Sequence, residues 1–174
     1  MKTVRLALVL VLSLAAGSAR ADHFERAGDV GSILLPAGAS VGALVVKDHR
    51  GLGQLAGAFA STIVVVYVLK LAVDRTRPDG DQYSFPSGHA ASAFAGAAFL
   101  QRRYGWRLGI PAYALASFVG YTRVEANRHY TSDVVAGAAI GIAANLIFTH
   151  RREHVSLGFD PRPGHAGFVV TIAW

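Results

Sequence analysis

Five long apolar runs constrain the fold of this chain more than any other feature of its sequence. Each run is about 15 to 18 residues long and almost free of charge, and this length favours helices over strands. We therefore predict an all-α fold, an antiparallel bundle of about five apolar helices. The runs are Val30–Val46, Leu52–Leu69, Ser87–Leu100, Leu108–Thr122 and Ser132–Phe148.

The composition favours a bundle that lies in a membrane. Hydrophobic residues make up 52% of the chain and charged residues only 16%, whereas an ordinary soluble domain has about 25% charged residues. The 19 glycines suit helices that approach each other closely, as the helices of membrane bundles do. A soluble all-helical protein is the alternative, because the runs fall short of the about 20 residues of a typical spanning helix.

The N-terminus has the pattern of a secretory signal peptide. Lys2 and Arg5 precede the apolar run Leu6–Ala16, and Ala19-Arg20-Ala21 matches an A-x-A cleavage site. We predict a signal peptide at residues 1–21 and export across the inner membrane. An uncleaved first membrane helix is the alternative.

The remaining chain divides into a helical domain at residues 22–153 and a C-terminal tail at residues 154–174. Asp22–Asp29 is polar and is expected to be a lead-in that precedes the first helix. In the tail, turn residues at Asp160–Gly164 are followed by the strand-like run Phe168–Ile172. This order of residues predicts a small β-hairpin.

Charge indicates how such a bundle would be oriented. The net charge of +6 falls to +3 without Lys2, Arg5 and Arg20, which leaves 14 basic and 11 acidic residues; so mild a charge needs no nucleic acid to explain it. In a five-helix antiparallel bundle, one end collects many cations and is expected to face the cytoplasm by the positive-inside tendency. The opposite end would face the periplasm. The cations are Lys47, Arg50, Arg102, Arg103, Arg107, Arg151 and Arg152.

Three clusters of polar residues are expected to meet at the opposite end. They are Lys70 with Arg77-Pro78, then Pro86-Ser87-Gly88-His89, then Arg123 with His129 and Asp133. Each residue alone fits a structural role, such as a lysine that snorkels from a helix end. Their convergence at one end of an apolar bundle favours a functional site.

The residue types in these clusters suit phosphoryl transfer. Cations and the free N–H groups of a helix that begins at Ser87 can hold the oxygens of a phosphate. One histidine can attack phosphorus, and a second can protonate the departing oxygen and later activate water. A carboxylate four residues after His129, one turn away if the helix starts that early, would fix its tautomer. No residue set has the spacing of a metal site, and we expect no cofactor.

At these residues the chain resembles the type 2 phosphatidic acid phosphatase family, which shares its fold and site with vanadium haloperoxidases and bacterial acid phosphatases. The family pattern is Lys-x6-Arg-Pro, Pro-Ser-Gly-His and Ser-Arg-x5-His-x3-Asp, and the resemblance spans roughly residues 50 to 145. The one departure is Thr122 in place of serine. The resemblance implies that His129 is the nucleophile, oriented by Asp133, and that His89 is the general acid and base. The implied phosphate ligands are Lys70, Arg77, Ser87, Gly88 and Arg123.

The sequence therefore predicts a metal-independent phosphatase that acts on a phosphorylated lipid at the periplasmic side of the inner membrane. Candidate substrates are phosphatidic acid, phosphatidylglycerol phosphate, undecaprenyl diphosphate and lipid A phosphates. A soluble periplasmic acid phosphatase for small phosphomonoesters and a vanadate-dependent haloperoxidase are the enzymatic alternatives. A non-enzymatic protein that binds lipid is disfavoured, because no catalytic position is missing. No sequence feature specifies an oligomeric state.

Overall fold

A computed structural model of the chain shows a helical bundle followed by a β-hairpin. It describes the backbone of residues 2–152, 155–162 and 165–172 and the side chains of residues 24–152. The two strands pair antiparallel. The predicted all-α bundle with a strand-like tail is confirmed. Within the described residues the elements are α1 (Lys2–Val45), α2 (His49–Val73), α3 (Gly88–Tyr104), α4 (Trp106–Glu125), α5 (Thr131–Phe148), β1 (Val155–Arg162) and β2 (His165–Ile172).

Helix α3 is the centre of the bundle and packs against all four other helices. Most of its buried residues are alanine or glycine, which lets the neighbouring backbones come close. On α5, a Cβ added at Gly137 would collide with the carbonyl oxygen of Ser87, and one at Gly141 with that of Ala91. This contact holds the start of α3 directly against α5. The fully buried alanines of α3 are Ala90, Ala91, Ala93, Ala95, Ala97 and Ala98.

The outer surface of the bundle is apolar. On α2 alone, seven large apolar side chains are between 42% and 64% exposed, and so continuous an apolar surface indicates an apolar environment. Among the described residues, Phe24–Val45 in α1, all of α2 and all of α5 are long and apolar enough to cross a membrane. The exposed α2 side chains are Ile63, Val64, Val65, Tyr67, Val68, Leu71 and Val73.

The first helix differs from the sequence-based expectation. Asp22–Asp29 is helical and belongs to α1, so the predicted non-helical lead-in is wrong. The polar side chains that suggested a loop are instead paired with α4 and the loop after it, through Asp29 to Arg123 and Glu25 to Arg128. Helix α1 is also continuous across Ala21, and cleavage of the chain at that point stays a prediction.

Candidate active site

The start of α3 forms one wall of the site. Ser87 caps the helix, as predicted, and its Oγ accepts a hydrogen bond from the N–H of Ala90 at 3.4 Å. The N–H of Ser87 donates to the carbonyl oxygen of Asp133 at 2.9 Å, which ties this helix start to the first turn of α5. Gly88 follows at the first helical position. The geometry provides the helix N-terminus that an anion would use.

His129 lies between α4 and α5 and is only 4% exposed. Its Nδ1 is 2.8 Å from the carbonyl oxygen of Ser84. Because a carbonyl can only accept, Nδ1 carries the proton and the lone pair lies on Nε2. Burial first, and then the positive charges of Lys70 and Arg77, lower the pKa of His129 to about 4. At neutral pH the ring is therefore uncharged, with a free lone pair on Nε2.

The contact between His129 and Asp133 is not the direct hydrogen bond that the spacing suggested. Helix α5 begins at Thr131, so the two residues do not share a helical turn. Nδ1 of His129 and Oδ2 of Asp133 are 3.9 Å apart. Ser84 lies between them, and its hydroxyl donates to Oδ2 of Asp133 at 2.5 Å. Asp133 therefore contacts His129 through Ser84, whose hydroxyl bonds to the carboxylate and whose carbonyl oxygen bonds to the imidazole.

The Asp133 carboxylate is completely buried and is itself well bonded. Nη1 of Arg75 donates to Oδ1 at 2.8 Å, and the N–H of Tyr130 donates to Oδ2 at 3.0 Å. The guanidinium of Arg75 also lies 4.1 Å from the centre of the Tyr130 ring. Arg75 and Ser84 were not singled out from the sequence, because both lie in the polar loop before α3, where spacing distinguishes no residue from its neighbours.

Arg123 on α4 is 1% exposed, and most of its N–H groups are used by α1. Nη1 donates to Oδ1 of Asp29 at 2.8 Å, and Nη2 donates to the backbone oxygens of Phe24 and Glu25. Its Nε, like the Nε of Arg77, is buried without a hydrogen-bond partner. These two are the buried side-chain nitrogens or oxygens left unpaired within the described residues. An unpaired buried N–H costs about 1–3 kcal/mol, which an anion placed beside it would recover.

Lys70 and His89 complete the predicted set. Nζ of Lys70 donates to the carbonyl oxygen of Tyr83 at 2.6 Å. Nε2 of His89 lies 3.0 Å from Oδ1 of Asp29, and the imidazole is 40% exposed. All eight predicted residues therefore lie at the same end of the bundle. Asp29 was missed because it falls in the stretch expected to precede the helices. Within the described residues, no three His, Asp or Glu side chains converge as metal ligands would.

Comparison with known proteins identifies the family of the chain. A family model described as the PAP2 superfamily matches residues 79–155. The lipid A 4'-phosphatase of Helicobacter pylori is 35% identical over 137 residues, which cover 71% of this chain and 69% of that protein. The lipid A 1-phosphatase of Porphyromonas gingivalis is 40% identical over 107 residues, which cover 59% of this chain and 22% of that longer protein.

A solved structure also has this fold. The crystal structure of Aquifex aeolicus LpxE superposes with a TM-score of 0.64 at 26% identity, covering 74% of this chain and 84% of that one. The chain belongs to the PAP2 superfamily. The family and the phosphatase class predicted from the three motifs, and the fold class predicted from the apolar runs, are confirmed. With its candidate spans and this family, the chain is a membrane protein.

Proposed function

We propose that this chain hydrolyses a phosphate monoester or diphosphate carried by a lipid, through a phosphohistidine formed at His129. The observation that carries the proposal is the pair of buried, unpaired Nε–H groups on Arg77 and Arg123, at the same end of the bundle as a buried neutral imidazole. A tetrahedral phosphate has oxygens to accept both N–H groups while its phosphorus faces the nucleophile.

The reaction then follows from the hydrogen bonds. Nε2 of His129 attacks phosphorus while Nδ1–H stays bonded to the Ser84 carbonyl, and His89 gives its proton to the departing lipid oxygen. In the second step His89 takes a proton from water, which attacks the phosphohistidine and releases phosphate. Lys70, Arg77, Arg123, Ser87 and Gly88 hold the phosphate oxygens as their charge grows.

A path of cavities supports a lipid substrate. A cavity of about 240 Å³ begins at Lys70 and Gly88 and reaches Ser92 between α2 and α3. A second cavity, of about 570 Å³, also touches Ser92 and continues between α1 and α2 along Leu55 and Phe59. Both are lined mainly by apolar side chains, and each includes one that is exposed on the outer surface, Ile33 in the larger cavity and Ile63 in the smaller. A lipid whose phosphate binds beside Lys70 would place its hydrocarbon chain in these two cavities.

We infer from the named relatives that the phosphate groups of lipid A are the first substrates to test. The orientation is proposed from charge. Arg103, His150 and Arg152 gather at the end opposite the site, which supports a cytoplasmic position for that end and a periplasmic one for His129. A signal peptide at residues 1–21 fits the same orientation.

Phosphate release from a panel of lipids tests the proposal. Detergent-solubilised protein is incubated with lipid A, phosphatidic acid, phosphatidylglycerol phosphate and undecaprenyl diphosphate, with EDTA present. We expect release from at least one lipid by the unsubstituted chain, and a loss of at least about 10³-fold in H129A. Equal rates for the two proteins, or complete inhibition by EDTA, would overturn the proposal.

A further inference from the structure

The turns of α1 from Phe24 to Asp29 pack against the candidate active site. Gly28 lies so close to α4 that an added Cβ would collide with Oγ1 of Thr122 and with the guanidinium of Arg123. The backbone oxygens of Phe24 and Glu25 accept from the same guanidinium. This segment reaches residues about 100 positions away in the chain, and it brings one carboxylate, that of Asp29, to the site.

Asp29 bridges two residues of the predicted machinery through one oxygen. Its Oδ1 lies 3.0 Å from Nε2 of His89 and 2.8 Å from Nη1 of Arg123. A carboxylate can only accept, so the shared hydrogen lies on Nε2 of His89. That arrangement leaves Nδ1 of the ring to exchange a proton with the substrate.

We propose that Asp29 is the positioning residue of the general acid, holding His89 through Nε2 so that Nδ1 serves the leaving oxygen and then water. This inference rests on the proposed function and adds a second, independent histidine–acceptor pair to the one formed by His129 and Ser84. The first pair orients the nucleophile, and the second orients the acid.

The proton balance of the two steps is simple. As the Nε2–phosphorus bond of His129 forms and the phosphorus–oxygen bond of the lipid breaks, Nδ1–H of His89 passes its proton to the departing oxygen. As water attacks and the nitrogen–phosphorus bond breaks, Nδ1 takes one proton from that water. The bond from Nε2–H to Asp29 is kept throughout, and the carboxylate stabilises the imidazolium whenever it is present.

The charges around His89 explain why such a partner is needed. Burial first, and then the positive charges of Arg123 on α4, Arg77 in the loop between α2 and α3, and Lys70 on α2, lower the pKa of His89. Asp29 on α1 acts in the opposite direction. Without the carboxylate of Asp29, the three cations near the His89 ring would disfavour its protonated form, which is the form that donates a proton. Helix α3, on which His89 lies, is outside the candidate membrane spans.

The test compares two leaving groups. Dodecyl phosphate releases an alkoxide that needs a proton, whereas 4-nitrophenyl phosphate releases a stabilised phenolate that does not. We expect D29N to lose about 10-fold or more in kcat/KM on the alkyl ester and less than about 3-fold on the nitrophenyl ester. The alkaline limb of the alkyl-ester profile should also move to lower pH. D29S is expected to give the same pattern if D29N does not fold.

The matched control is E25Q. Glu25 lies one turn earlier on α1, and its carboxylate pairs with Arg128 at 2.5 Å, so its loss should change both esters by the same factor. An equal loss on both esters with an unmoved pH profile in the Asp29 variants, or no loss at all, would overturn the inference. Neither result would touch the proposed function, which is tested separately by the activity of H129A and by the effect of EDTA.

Discussion

The two ends of the bundle hold the same kinds of side chain and use them differently. At the end away from the site, Asp48 is 4% exposed and receives Nε and Nη2 of Arg103, each at 2.7 Å. The hydroxyl of Tyr104 and the N–H of Gly51 donate to the same carboxylate. Nη1 of Arg103 donates to the carbonyl oxygen of His150. Every nitrogen of this guanidinium has an acceptor.

At the site end, Arg123 is buried as deeply but its Nε has no acceptor, and neither has the Nε of Arg77. A closed network such as that of Asp48 joins α2, α3 and the segment after α5, and it leaves no guanidinium nitrogen of Arg103 without an acceptor. At the site end, the unpaired Nε–H groups of Arg77 and Arg123 are shielded from water and remain available to bind an anion. Unpaired buried donors, more than charge itself, distinguish the site end from the structural ion pair of Asp48 and Arg103.

Exchanging the two arginines for alanine should separate stability from activity. We expect R123A to lower kcat/KM by about 10²–10³-fold, because it removes a donor that acts on the developing charge. R103A should instead lower the free energy of unfolding by about 3–5 kcal/mol, because it leaves Asp48 buried without its partner. Phosphate release per folded molecule and denaturant unfolding in detergent measure the two effects. The distinction between the ends fails if R103A loses activity as strongly as R123A.

The hydroxyl of Ser84 should matter less than a phosphate ligand. S84A removes the bond to Asp133 but keeps the carbonyl that holds His129. A hydrogen bond to a charged group contributes about 1.5–3 kcal/mol, so we expect kcat to fall by about 10-fold or more with little change in KM. S84T keeps the hydroxyl and serves as the control. If S84A and S84T behave alike, the hydroxyl does not connect Asp133 to the nucleophile.

The pH profile should respond to cations at one end only. Burial and nearby cations lower the pKa of His129 to about 4, so its ring stays neutral until the pH falls through that value. K70M removes one of the charges that oppose protonation; the pKa of His129 then rises and the acid limb of kcat/KM moves to higher pH. K47M, at the other end, is the control and should leave the limb in place. If the acid limb of kcat/KM does not move in K70M, the charge of Lys70 does not affect the pKa of His129.

The smallest effect concerns acid stability. Burial alone would raise the pKa of Asp48, but hydrogen bonds from Arg103, Gly51 and Tyr104 outweigh it and lower the pKa from 3.8 to about 2. The resulting stabilisation, about 2 kcal/mol, is complete above pH 4 and is lost as the pH falls through about 2. Unfolding measured at several pH values should show this loss in the unsubstituted chain and not in D48N. If the free energy of unfolding depends on pH in the same way in both proteins, Asp48 does not provide this stabilisation.

Much of the bundle and the site could be predicted from the sequence. The uncharged runs indicated five helices because apolar length alone decides that question. The three motifs named Lys70, Arg77, His89, His129 and the others because each follows or precedes a helix at the same end. Asp29, Arg75 and Ser84 could not be found this way. Their roles depend on contacts with residues 45 to 94 positions away, and no local pattern encodes such a distance.

The start of α1 shows the same limit in another form. Glu25 and Asp29 break the apolar pattern, so the sequence suggested a loop there. The helix continues because both carboxylates and two backbone oxygens are paired with Arg123 and Arg128. These tertiary contacts stabilise helical structure in a stretch where hydropathy alone would not predict it.

Trapping a covalent intermediate would reveal whether His129 carries the phosphoryl group. In H89Q the second step lacks its base, whereas 4-nitrophenyl phosphate can still transfer its phosphoryl group without an acid. Mixing the two, quenching in alkali and mapping the peptides by mass spectrometry should place one phosphoryl group on His129. A double variant that carries both H89Q and H129A should show no phosphoryl group. A phosphoryl group on any other residue, or labelling that persists without His129, would contradict the account.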